Sequence, residues 1–128
     1  MSKKRLVASG IDLIIFSLFG NLTGSLIILC VPQYIFKNDT LNTILVFVLM
    51  ILNFLVFLNK DGIFGYNSIG KKIMKLKIFD DNDEIVTNKK ILFLRNFESF
   101  KYIISYVPMI LTKNQSAGDE KYHTYVDN

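Results

Sequence analysis

LVASGIDLIIFSLFGNLTGSLIILCV, residues 6–31, decides the fold. A helix needs about 20 apolar residues to cross the hydrocarbon core of a bilayer, and this run exceeds that. Its only charge is Asp12. An ionised carboxylate at that depth costs ~2.5–3.5 kcal/mol on insertion scales, so a chain keeps one only where something compensates or uses it. Asp12 is therefore a candidate functional residue inside a membrane span. Lys3-Lys4-Arg5 ahead of the run imitates a signal peptide, but the run is longer than an h-region and carries a charge, so an uncleaved span is expected.

Working outward, Pro32 ends the first span, because proline disfavours helix in the residue before it. A short polar loop, 32–40, leads to a second apolar run at 41–58, with Asn53 as its one strongly polar interior residue. Residues 59–90 are polar and carry seven lysines. Within them Leu76-Lys77-Ile78 alternates, Asp80 to Asp83 reads as a turn, and Ile85-Val86-Thr87 resumes, the pattern of a small β-hairpin. A third hydrophobic segment, 91–111, is interrupted by Arg95, Glu98 and Lys101, and Pro108 bends or breaks it. Ten uncharged residues from Tyr102 to Leu111 are too few to cross. An amphipathic, interfacial or re-entrant segment is favoured there over a short full span. A polar tail, 112–128, completes one domain over 1–128. The expected class is an all-α membrane protein, with two transmembrane helices, this third segment and a hairpin-like cytoplasmic loop.

Half the chain, 51%, is hydrophobic, mean hydropathy is +0.34, and the net charge is +4. Such a charge can indicate nucleic acid, but its distribution argues otherwise. Ten of the fifteen Lys and Arg lie at residues 3–5 and in the 59–90 loop, flanking apolar runs. That is the positive-inside pattern. It implies a multi-pass protein of the cell membrane, with a cytoplasmic N-terminus and no nucleic-acid partner. Cys30 is the single cysteine, which excludes an internal disulfide, and His123 has no ligand-spaced partner, so neither metal nor cofactor is expected. Gly65 to Lys71 matches GxxxxGK, but Lys72 stands where a P-loop needs Ser or Thr for Mg²⁺. It reads instead as a tight turn, with Lys71 and Lys72 as headgroup anchors on anionic lipid. No nucleophile, base and orienter line up, so an enzyme is not expected.

On a 100° period, Arg5, Ala8, Ser9, Phe16, Gly20 and Thr23 gather around Asp12, while bulky Ile and Leu residues gather opposite. The small, polar face should meet protein. Gly20 and Gly24 form a GxxxG spacing that allows close helix approach. Arg5 lies two turns before Asp12 and points away from it, so it is expected to snorkel to headgroups. Asp12 then needs another partner: Ser9 locally, or Arg95 or Lys101 as counter-charge. An assembly clamp and a proton- or ion-handling site both remain open for it.

Three pieces occur in order. Arg5 is followed by Ala8 and Asp12. Gly65-Tyr-Asn-Ser-Ile-Gly70-Lys71-Lys72 opens a basic loop. Asp119 is followed by Thr124 and Val126. Together, across nearly the whole chain, they resemble the RDD family of small membrane proteins, named for one arginine and two aspartates. The resemblance implies that these are Arg5, Asp12 and Asp119, and that Arg95 matches an arginine often found at the start of the last hydrophobic segment. Lys75 stands where such proteins commonly carry a second glycine, and Asn82 replaces a usual turn glycine. The resemblance implies a membrane domain with a suspected transport role, cation–proton antiport for some members, or an accessory or protective role for others. Two expectations follow. One is ion- or proton-coupled transport by a homo-oligomer, with Asp12, Arg95, Lys101 and Asp119 as site candidates. The other is a non-transporting regulator or immunity-type protein that binds another membrane protein.

Overall fold

The computed structural model describes residues 2–128. Helix α1 runs Ser2–Cys30 and α3 runs Asp39–Leu58; both are long and apolar enough to cross a membrane. Their large side chains, such as Ile14, Leu18, Val46 and Phe47, are exposed, as a lipid-facing surface requires. Pro32 separates α1 from the short α2, Gln33–Lys37, inside the expected polar loop. Asn38 caps α3 by accepting from the Leu41 amide at 3.1 Å.

Beyond α3 the chain folds into short elements: α4, Lys60–Ile63; α5, Ile69–Ile73; and strand β1, Lys77–Asp80. Helix α6 is Lys89–Lys101, capped by Asn88, and α7 is Ile103–Lys113. The third hydrophobic segment is therefore two helices that break at Tyr102. At 1.5 Å per residue they are roughly 20 and 17 Å long, each too short for a ~30 Å core. Asn96 of α6 donates to the Leu58 carbonyl at 2.9 Å, and the Asn114 carbonyl after α7 accepts from Arg5 at 2.7 Å. Leu58 ends α3 and Arg5 begins α1, so the hairpin leaves and returns at the same end of the spans. At its turn Phe100 meets Phe54, ring centres 4.6 Å apart, one helical turn deeper. The segment is thus a short helical hairpin at that end of the spans.

The tail is folded, not loose. It forms α8, Ala117–Tyr122, and strand β2, Thr124–Asp127. β2 pairs antiparallel with β1, with Ile78 opposite Val126. The expected hairpin is present: Phe79 bridges Ile85 across the Asp80–Asp83 turn, with the Val86 amide donating to the Ile78 carbonyl and the Asp80 amide to the Glu84 carbonyl, each at 2.9 Å. The longer partner of β1, from the far end of the chain, is what the sequence did not nominate. Alternation predicts that a strand exists, but not its partner. Asp83, and not Asn82, takes the left-handed turn position, at φ 61°. The pairing puts the tail on the side of the 59–90 loop. A small core of Ala8, Leu76, Ile78, Val86, Leu92 and Val126 lies under that side.

Candidate ion-pair cluster

Gly70 brings the first two functional segments together. Its amide donates to Asp12 Oδ1 at 2.7 Å, within a close contact of α1 and α5. A Cβ at Gly70 would overlap the Ala8 carbonyl, so the approach needs glycine. Ser68 caps α5 and leaves its first amides free to face a carboxylate. The other Asp12 oxygen lies 3.3 Å from Lys60 Nζ, and Asp12 is 2% exposed. Both oxygens are thus occupied, by partners that the sequence did not nominate.

Arg95 is the hub of a second, longer chain of pairs. Its Nη1 donates to Asp119 at 2.7 Å and its Nη2 to Asp61 at 3.0 Å. Planar guanidinium geometry suits one side chain bridging two carboxylates. Asp61 also accepts from Lys71 Nζ at 2.6 Å, from the Ser68 amide at 2.9 Å and from Asn96 at 2.9 Å. Asp119 accepts in addition from Arg5, Thr124 and Ser116, and it forms the capping box of α8 with Ser116. Burial pushes the Asp61 carboxyl up, but Lys71, Arg95 and Lys60 outweigh it and hold it well below the usual carboxylate range. Asp119 is likewise depressed, with Arg95 and Arg5 overcoming its burial. Burial lowers the Lys71 ammonium to about 8, against the attraction of Asp61.

Several expectations change. Arg5 does not snorkel; it is 2% exposed and pairs with Asp119. Lys71 is no headgroup anchor either, since it is buried on Asp61. Lys72 stays exposed and donates to the Phe64 carbonyl. Arg95 serves Asp61 and Asp119, not Asp12. Lys101 pairs with Glu98 one turn back, at 3.2 Å, so it is not a counter-charge for Asp12. Ser9 meets the Tyr106 hydroxyl at 2.6 Å instead of Asp12. Of the two packing glycines, Gly20 approaches Asn53, while Gly24 has nothing within 4 Å of its added Cβ. The physical reason is common to most of these. Helix periodicity assigns residues to a face, but the folded loop and tail supply the partners that cover it.

Asp61 is the residue that sequence reasoning missed, although it is fully buried. Its signal was its place, a carboxylate directly after the second span and ten residues before Lys71. Asp12, Asp61 and Asp119 face Arg5, Lys60, Lys71 and Arg95, so the cluster carries three negative and four positive charges. Buried pairs are weak evidence of net stability, but removing one member leaves an uncompensated charge. Such a cluster locks one arrangement of loop, hairpin and tail on the spans. Among the described residues, no group of three or more His, Cys, Asp or Glu is placed to hold a metal.

No curated protein and no solved structure matches this chain. The family comparison does match. Arg5, Asp12 and Asp119, far apart in sequence, meet in or beside one cluster, and the chain belongs to the RDD family, whose model matches residues 2–120.

Proposed function

We propose that this is a non-transporting membrane accessory protein that docks on another membrane protein through α1, with its ion-pair cluster acting as an assembly clamp. The reading is carried by a stripe on the outer side of α1. Gly10, Ser17, Asn21 and Gly24 fall within roughly 60° of one another on the helical period. Gly10 and Gly24 would meet nothing within 4 Å, and Ser17 and Asn21 are exposed. Small and polar residues on a lipid-facing helix are the material of helix–helix contact in membranes. The state of Asp12 supports the same reading. Its oxygens are engaged by the Gly70 amide and the Lys60 ammonium, which tie α1 to α4 and α5 as a clamp would. The basic N-terminus and loop favour a multi-pass cell-membrane protein with this end cytoplasmic. The test is co-purification from native membranes with wild type, Gly24→Leu and Asn21→Leu. A stoichiometric membrane partner lost in both variants, at unchanged melting temperature, supports docking. A wild type that purifies without any partner, or variants that keep theirs, overturns it.

One observation favours a second reading, proton-coupled transport by a homo-oligomer. Burial lowers the Lys71 ammonium inside the cluster to about 8, closer to the working pH than a free lysine. Proteoliposomes containing a pH-sensitive dye test it under an imposed Na⁺ or K⁺ gradient. A cation-dependent pH change lost in Asp12→Asn supports transport; a silent, well-folded wild type removes it.

A further inference from the structure

A cavity of about 230 Å³ lies between α1, the α6–α7 hairpin and the end of α3. Its lining is divided by chemistry. Arg5, Lys60, Lys71 and Arg95 form the charged part, and no carboxylate is among the lining residues. The three aspartates stand behind these cations, with their oxygens already engaged. These four cations face three aspartates, so one positive charge is unmatched at the buried end of the cavity. An anion with several oxygens balances it through charge-assisted hydrogen bonds. Ser9, Ser99, Tyr106 and Ser116 add hydroxyls to the same lining.

The other wall is apolar: Leu13, Phe57, Phe100, Ile103 and Val107. Leu13, Ile103 and Val107 are each about half exposed, so this wall is open on its apolar side, as a lipid-facing wall of a membrane protein would be. A soluble anion gains nothing from such a wall. A molecule with a charged head and a hydrocarbon chain uses both. The volume lies just below the ~300–1,000 Å³ of small-molecule sites, which suits a headgroup and the start of one chain, not a whole lipid.

We propose that this cavity is a specific site for an anionic phospholipid, with the phosphate against Arg5, Arg95, Lys60 and Lys71 and an acyl chain leaving along Leu13, Ile103 and Val107. The site is distinct from the surface lysines, which attract anionic membranes without selecting one molecule. It is also independent of the α1 stripe, which lies outside its lining.

Delipidated protein in maltoside detergent, titrated with phosphatidylglycerol or phosphatidylcholine and read by native mass spectrometry, tests the site. One retained phosphatidylglycerol, preferred about tenfold or more over phosphatidylcholine, is expected. Val107→Trp and Ile103→Trp fill the apolar wall at exposed positions without touching an ion pair; each should abolish retention while leaving the melting temperature intact. Equal retention of both lipids, or undiminished retention in two folded variants, overturns the proposal. Inorganic phosphate, added without lipid, separates the two sources of phosphate. A melting-temperature rise matching that given by phosphatidylglycerol would make the ligand a soluble anion and overturn the lipid assignment.

Discussion

The Gly70 amide lies 2.7 Å from Asp12 Oδ1, 58 residues away in sequence. This one hydrogen bond joins the first span to the basic loop at a point where a side chain cannot fit. Substituting Gly70→Ala forces the Cβ into the Ala8 carbonyl and pulls the amide from Asp12. Overpacking plus a lost charge-assisted bond should destabilise by about 2–4 kcal/mol. Thermal melting in detergent should show a clear fall; an unchanged midpoint would mean that α5 is free to shift.

Arg95 bridges Asp61 and Asp119 with two separate nitrogens. Arg95→Met leaves both buried carboxylates short of a counter-charge, at a cost of about 3–5 kcal/mol. Arg95→Lys restores the charge but cannot span both carboxylates, so it should recover only part of the loss. Equal stability of wild type and Arg95→Lys would show that the bridge is dispensable.

The cluster predicts a particular response to pH. Asp61 and Asp119 are both held below their unfolded value. Their contribution is present above the unfolded carboxylate pKa of about 4 and is lost as pH falls below it. Lys71 acts at the other end. Its pKa drops from 10.5 to about 8, so the unfolded chain binds more protons between those values and stability rises with pH there. Chemical denaturation across both windows should show the acid loss and the alkaline rise. Lys71→Met should flatten the alkaline slope, and a slope that survives it must have another origin.

Lys75 occupies a left-handed position at φ 56°, between α5 and β1. L residues are strained there and glycine is not. After the entropic cost of glycine, Lys75→Gly should stabilise by about 0.5–1 kcal/mol. Lys75→Val should destabilise, because a β-branched side chain tolerates this conformation poorly. Melting temperatures that move the other way for this pair would show that Lys75 makes a compensating contact.

The two spans were determined by the sequence alone, because length and hydropathy are local quantities and the bilayer demands little more of a helix. Pro108 and the charges that interrupt 91–111 likewise argue, from sequence alone, against a third crossing. The need of Asp12 for a partner was equally legible, since its charge stands inside an apolar run. The identity of that partner was a different matter. Lys60 and the Gly70 amide reach Asp12 because α4 and α5 fold back under α1, which no spacing within α1 encodes. Arg5 lost its headgroup role for the same reason, once α8 brought Asp119 beneath it. The β1 strand was legible from alternation, but its pairing with Thr124–Asp127 spans almost fifty residues and depends on where the α6–α7 hairpin returns the chain. Periodicity along one helix tells which face must be covered. What covers it is settled by tertiary packing, since unpaired buried charges and hydrogen-bonding groups are too costly to leave in a low-dielectric site.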